Sequence, residues 1–213
     1  MAKLFFRFGC MDCGKSTHLL QIAHNYDKRG LVPLIVKPKF DTRGDFYVKS
    51  RLGIKREVDY LVSKEDNISE KIETWIEREN YDCILVDEAH FLTKKQARDL
   101  WKIATELDIV VIAYGLRVDY MGEGFDASKE LLTLAHEIEE LKTVDETGKK
   151  CTMHLRSING KYVFEGTPKI VGDIKGKEKY ESCTSKKWLS EYNEYQQEKI
   201  ANQIDYRGGL LNG

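Results

Sequence analysis

At 213 residues the chain fits one domain with an appendage and is long enough to bury a core. A net charge of −1 with 32% charged residues offers no basic stripe for nucleic acid, and no apolar run approaches the length of a membrane span. The N-terminus already reads as a first strand rather than a signal peptide, and five scattered cysteines, an odd number, imply a reducing cytoplasm rather than a disulfide framework.

The first predicted strand, Leu4–Phe8, runs into Gly9-Cys10-Met11-Asp12-Cys13-Gly14-Lys15-Ser16-Thr17, which matches G-x-x-x-x-G-K-[ST]. A helix, Ser16–Lys28, follows. Strand, glycine-bounded loop and helix are the context of a phosphate-binding loop: backbone N–H groups face phosphate oxygens and the helix N-terminus adds a positive dipole end. Lys15 would reach the β- and γ-phosphates of a nucleoside triphosphate, and the Ser16 hydroxyl would ligate Mg²⁺. Cys10 and Cys13 also fit C-x-x-C, but a metal there would compete with the nucleotide for the same backbone.

Val32–Val36 reads as a second strand, with its proline at the edge, where a missing N–H is tolerable. Ile68, Ile72, Trp75 and Ile76 recur at helical spacing behind a polar Asp66-Asn67 start. Cys83–Val86 is a wholly apolar strand, and Thr93-Lys94-Lys95-Gln96 opens the next helix with a capping-box pattern. Ile109–Ala113 is a further strand, and Leu131, Leu134, Ala135, Ile138 and Leu141 mark another helix. Alternating strands and helices with continuous apolar strands predict an α/β fold: a P-loop (RecA-like) parallel sheet flanked by helices, with ligands beyond the carboxyl ends of the strands. Asp87 and Glu88 stand at the end of the third apolar strand. Asp87 is placed to hold the Mg²⁺ water shell, leaving Glu88 to take a proton from an attacking hydroxyl or water; a solvated strand-end turn is the plainer alternative.

The order phosphate loop, Asp41-Thr42-Arg43, Asp87-Glu88-Ala89-His90-Phe91, then Tyr114-Gly115-Leu116-Arg117-Val118-Asp119-Tyr120 with Phe125 behind it, resembles the cytosolic-type thymidine kinases of bacteria and their phages, from Lys3 to about Trp188. The resemblance implies a kinase that moves the ATP γ-phosphate to the 5′-hydroxyl of thymidine, and of deoxyuridine if it is accepted. In it Glu88 is the catalytic base and Arg43 stabilises the transferring phosphoryl group. Met11, Phe91, Leu116, Tyr120 and Phe125 line the nucleoside pocket, although Phe91, Leu116 and Phe125 read on their own as core, and Arg117 as a salt-bridge residue. It further implies dTTP as feedback inhibitor, a homotetramer, and a small β-rich lasso closing over the nucleoside.

The division expected is 1–142 for the nucleotide-binding and catalytic domain, 143–188 for the lasso and 189–213 for a surface helix and flexible tail. Tyr180 matches a lasso tyrosine beside the sugar. His154 falls near the base methyl group, or is an exposed strand histidine. The lasso is normally stapled by zinc, but Asp145 and Thr147, then Thr184 and Lys187, fall where ligands belong, and Cys151, His154 and Cys183 are three donors where a tetrahedral site needs four. No zinc is expected. A RecA-like nucleic-acid-dependent ATPase, sharing the loop and strand-end acids, is the rival reading; it would want a basic or aromatic strand-binding surface.

Overall fold

The computed structural model of the chain describes residues 1–39, 46–77, 79–166 and 178–210, so Arg43 and its Asp-Thr-Arg segment lie outside the described residues. Two compact units emerge: Met1–Arg117 with Gly124–Lys142, and Val118–Glu123 with Thr143–Gly213.

In the first unit β1 (Leu4–Phe8) leads into α1 (Lys15–Asp27) and β2 (Pro33–Pro38). A hairpin of β3 (Tyr47–Lys49) and β4 (Lys55–Glu57) precedes β5 (Tyr60–Val62), α2 (Ile68–Ile76) and β6 (Cys83–Val86). A 3-10 turn (Ala89–Phe91), α3 (Lys94–Glu106), β7 (Val110–Gly115), α4 (Asp126–Leu134) and β8 (Glu137–Glu140) complete it. Six strands form one sheet in the order β5-β2-β6-β7-β1-β8, with every pairing parallel.

The sheet is covered on both faces, and strand periodicity shows how. Cys83, Ile84, Leu85 and Val86 of β6 are all fully buried. Ile84 and Val86 pack with residues of α2, α3 and α4, whereas Cys83 and Leu85 pack with Leu19, Leu20 and Ala23 of α1. Alternate residues point to opposite faces, so a strand covered twice must be apolar throughout. The capping box forms as read. Thr93 Oγ1 accepts the Gln96 amide at 3.1 Å and Gln96 Oε1 accepts the Thr93 amide at 3.0 Å, a cap worth about 1 kcal/mol. Gln96 Nε2 also donates to Ser63 O at 2.8 Å, tying α3 to the loop after β5.

Two expectations need correction. β2 lies inside the sheet between β5 and β6, and its prolines, Pro33 and Pro38, stand at its two ends. Pro33 is tolerated there because the first residue of a strand can forgo a ladder donor. The helix expected through Leu141 ends at Leu134: Ala135 turns extended (φ −61, ψ 137), and β8 pairs in parallel with β1 from Phe5↔Glu137 to Phe8↔Glu140. The spacing of Leu131, Leu134, Ala135 and Ile138 fits a helix, but the open edge of β1 takes the segment as its sixth strand. Ile138 is accordingly 48% exposed. Lys3 pairs with Glu137 at 2.6 Å and Arg7 with Glu139 at 2.7 Å across this edge.

The second unit is a three-stranded antiparallel sheet, β9 (Met153–Ile158), β10 (Lys161–Tyr162) and β11 (Glu178–Cys183), in the order β10-β9-β11, followed by α5 (Ser185–Leu210). Asn159 (φ 53) and Gly160 (φ 80) make the two-residue turn of the first hairpin, the dipeptide that tolerates positive φ at both positions. On α5, Trp188, Tyr192 and Tyr195 share one face. Trp188 stacks on Tyr192 (5.1 Å between centroids, 10°) and meets Phe164 edge-on at 5.5 Å, and Tyr195 lies 5.4 Å from the same Phe164. The Trp188 indole also donates to Tyr120 O at 3.0 Å. Leu155 and Cys183 lie beneath, fully buried or nearly so.

Trp188→Ala should therefore destabilise the second unit by about 2–4 kcal/mol, lowering its thermal transition. Leu189→Ala, at a neighbour that is 54% exposed, should stay within about 0.5 kcal/mol. Equal effects of the two substitutions would mean that α5 is not anchored through this face.

Candidate active site

The loop after β1 is built for close backbone approach. A Cβ on Gly9 would stand 2.3 Å from Leu141 O and 2.5 Å from Cys13 Sγ, so no larger residue fits. Asp12 adopts positive φ (65) and its carboxylate pairs with Arg51; Gly14 (φ 82) then forms the N-cap of α1. A glycine cap brings no side-chain acceptor, so the first-turn N–H groups of α1 stay directed at whatever anion the loop encloses. The Lys15 ammonium folds back onto the loop, donating to Cys10 O at 2.7 Å and Gly9 O at 3.2 Å, with Cys13 Sγ at 3.6 Å. Met11 is half-buried on the same loop.

β7 separates β1 from β6 in the sheet, yet the residues following those strands meet over its end. Ser16 Oγ lies 3.4 Å from Asp87 Oδ1 and 3.5 Å from Oδ2. Asp87 is buried (4% exposed) and its amide donates to Val36 O at 2.9 Å. Burial pushes its carboxyl pKa up, while the Lys37 charge, the Glu88 amide, Lys15 and Ser16 act against the rise. A hydroxyl and a carboxylate at this spacing are a pair of oxygen donors suited to a hard divalent cation.

Glu88 holds a left-handed backbone (φ 50, ψ 35) at the head of the 3-10 turn. Burial, and then the adjacent Asp87 charge, push its pKa up to about 7, with Lys15 and Lys37 opposing. A carboxylate so poised is a stronger base than an ordinary glutamate and keeps an exposed side. The His90 imidazole is buried, accepts the Leu116 amide on Nδ1 at 3.2 Å, and lies 3.6 Å from Glu88 Oε2.

Of the residues assigned to the nucleoside, Phe91, Leu116 and Phe125 cluster around that imidazole. Phe91 and Phe125 lie 5.7 Å apart edge-on, Phe125 lies 4.7 Å from His90, and Leu116 is 3% exposed with its carbonyl accepting from Ser128 at 2.6 Å. Arg117, read as a salt-bridge residue, instead lies 5.8 Å over the Phe8 ring. In the second unit Tyr120 is fully buried and 6.1 Å from Tyr180. Its hydroxyl donates to Glu165 O at 3.0 Å and accepts from Arg156 Nη1 at 2.9 Å. The Tyr180 hydroxyl donates to Glu178 at 3.0 Å. His154 is 1% exposed, which removes the exposed-strand alternative.

Three residues escaped the sequence reading. Lys37 interrupts an otherwise apolar strand end, a signal that could have been used. Arg156, whose guanidinium stacks on Tyr120 and Tyr180 at 5.0 and 5.9 Å, and His90, behind the acid pair, become legible through long-range partners.

A parallel sheet with a glycine-capped loop after its first strand, and a hydroxyl and carboxylate meeting beyond its carboxyl edge, defines a P-loop nucleotide-binding fold. The thymidine kinase family model matches residues 2–188. A thymidine kinase of Francisella tularensis subsp. tularensis is 42% identical over 192 residues, 88% of this chain and 97% of that protein. Those of Rhodopirellula baltica and Streptococcus thermophilus (CNRZ 1066) are 43% identical over 185 residues (85% of each chain) and 38% identical over 192 (89% and 95%). Among solved structures, an ATPase domain superposes with a TM-score of 0.48 at 15% identity, covering 73% of this chain and 75% of that one, a likeness too loose to speak to activity. The chain belongs to the thymidine kinase family and is a nucleoside kinase that works with a nucleotide and a divalent metal.

Zinc, which the resemblance attaches to the lasso, does not suit the donors present. Cys151, His154 and Cys183 are the cysteines and histidine of the second unit, and among the described residues no group of three or more His, Cys, Asp or Glu side chains could hold a metal ion. A closed structural site takes four N or S ligands. Purified protein should carry well under one equivalent of zinc, and a zinc chelator should leave activity in excess Mg²⁺ and thermal unfolding unchanged. One zinc per chain by elemental analysis, with unfolding on its removal, would contradict this.

Proposed function

We propose that the chain transfers the γ-phosphoryl group of ATP to the 5′-hydroxyl of thymidine, giving dTMP and ADP. Family membership supports the acceptor, and the observation that carries the chemistry is the meeting of Ser16, Asp87 and Glu88 over the end of β7. Glu88 takes the proton of the 5′-hydroxyl as its oxygen attacks the γ-phosphorus and the bond to the bridging β–γ oxygen breaks, leaving ADP. Lys15 leaves the loop carbonyls for the β- and γ-phosphates, which the amides from Gly9 to Thr17 enclose, and Arg43 is assigned to the charge on the transferring group. Mg²⁺ would be held by Ser16 and Asp87, where it supplies charge neutralisation to the phosphates.

The residues assigned to the nucleoside are Met11, Phe91, Leu116 and Phe125 in the first unit, and Tyr120, His154 and Tyr180 in the second. Deoxyuridine, which lacks the base methyl, is the second acceptor to be tried. A cytoplasmic homotetramer with dTTP as feedback inhibitor, no zinc, and no nucleic-acid or membrane partner completes the reading. Among the described residues no helix is long and apolar enough to cross a membrane.

Glu88→Gln tests it. The amide is nearly isosteric but cannot accept the hydroxyl proton, so kcat should fall about 10²–10⁴-fold while ATP affinity holds. A variant keeping more than a tenth of wild-type kcat would show that Glu88 is not the base.

A further inference from the structure

Glu88 reaches its position at a cost, because a non-glycine residue in the left-handed region is strained. Something must fix the turn. Within it, the Phe91 amide donates to Glu88 O at 3.0 Å and the Leu92 amide to Ala89 O at 3.1 Å. These bonds shape the turn, and the Asp87 amide just before it bonds to Val36 O of β2 at 2.9 Å. The side-chain hydrogen bond that ties the turn to the end of β7 comes from His90, one residue beyond the fully buried Ala89.

Its Nδ1 accepts the Leu116 amide at 3.2 Å, where the chain leaves β7. A backbone amide can only donate, so Nδ1 offers a lone pair and the proton of the neutral ring resides on Nε2. β7 ends in a glycine that allows this approach: a Cβ on Gly115 would lie 3.1 Å from His90 N and 3.4 Å from both Cβ and Nδ1 of His90. Phe125 closes on the ring edge-on at 4.7 Å. The same Nδ1 is 3.6 Å from Glu88 Oε2. With its lone pair turned to the Leu116 amide, Nδ1 has no hydrogen to give that oxygen.

We propose that His90 is a positioning residue for phosphoryl transfer. By accepting the Leu116 amide it locks the Glu88 turn onto the end of β7, and by offering no donor it leaves the Glu88 carboxylate to the acceptor hydroxyl. The proposal rests on Glu88 being the base, and it makes the acceptor on this ring, rather than its bulk, the feature that matters. His90→Phe keeps an aromatic ring and deletes the acceptor. His90→Asn loses volume but puts Oδ1 near the place of Nδ1.

The experiment measures kcat, KM for ATP and thymidine, and thermal unfolding for H90F and H90N in the wild-type and E88Q backgrounds. H90F should lower kcat about 10–100-fold, the scale set by misplacing a reacting group by about 1 Å, with KM for ATP within about threefold. H90N should recover kcat to within about fivefold of wild type, and H90F should cost E88Q nothing further, because both act on one proton transfer. The proposal is overturned if H90F stays within about threefold of wild-type kcat, if H90N is as impaired as H90F, or if H90F lowers E88Q by its full factor. An active E88Q removes the base and the role of His90 together, whereas an inactive E88Q beside an unimpaired H90F removes His90 alone.

Discussion

Two adjacent acids held where burial disfavours their charge set the terms for the rest of this molecule. Asp87 and Glu88 follow a strand whose four residues are fully buried, so the peptide delivering them cannot move toward water without dragging β6 from the core. Both carboxyl groups are pushed up in pKa, and Asp87 itself raises Glu88. Lys15 and Lys37, from the loop after β1 and the end of β2, supply the opposing charge. The parallel sheet brings these four groups together. Each strand ends at the same edge, and β7, placed between β1 and β6, ends in a glycine that leaves room above it. A triphosphate with its divalent metal would resettle this balance. In the proposed reaction Asp87 and Ser16 would hold the metal, which would supply positive charge beside the carboxylate; Lys15 would exchange its loop carbonyls for the phosphates, and Glu88 would remain as the base.

What the sequence revealed and what it hid follow one division. β6 was readable because a strand buried on both faces is apolar at every position, and β1 because an apolar run broken only by Arg7 leads straight into the glycine of the phosphate loop. The capping box was readable because both its hydrogen bonds lie within four residues. The phosphate loop is likewise a local pattern, in which spacing alone implies backbone shape. β8 was hidden because its residues also satisfy a helical spacing. Its partner, β1, lies more than a hundred residues away, and the pairs Lys3–Glu137 and Arg7–Glu139 leave no local trace. The hairpin of β3 and β4 has strands of three residues each, too short for a period to show. At the site, the strand-end position of the acids could be read from local pattern. The left-handed backbone of Glu88 and the bond from the Leu116 amide to His90 could not, since both depend on how the end of β7 approaches the turn.

The second unit solves a problem of size. A small antiparallel sheet buries little apolar surface by itself and usually needs a staple. Here four aromatic rings, Phe164, Trp188, Tyr192 and Tyr195, stack and tilt against one another. Three of them are on α5, and the family match ends at residue 188, the first of those three. Most of the helical brace thus lies in sequence beyond the shared family region.

The central claim is that the acids beyond β6 direct phosphoryl transfer to a nucleoside hydroxyl rather than to water. The most direct measurement follows the label from γ-labelled ATP with thymidine, with DNA, and with neither. The account predicts label on the 5′-oxygen of thymidine, in step with ADP, little inorganic phosphate in any mixture, and no response to DNA. Phosphate release that DNA stimulates, with no labelled nucleotide formed from thymidine, would contradict it.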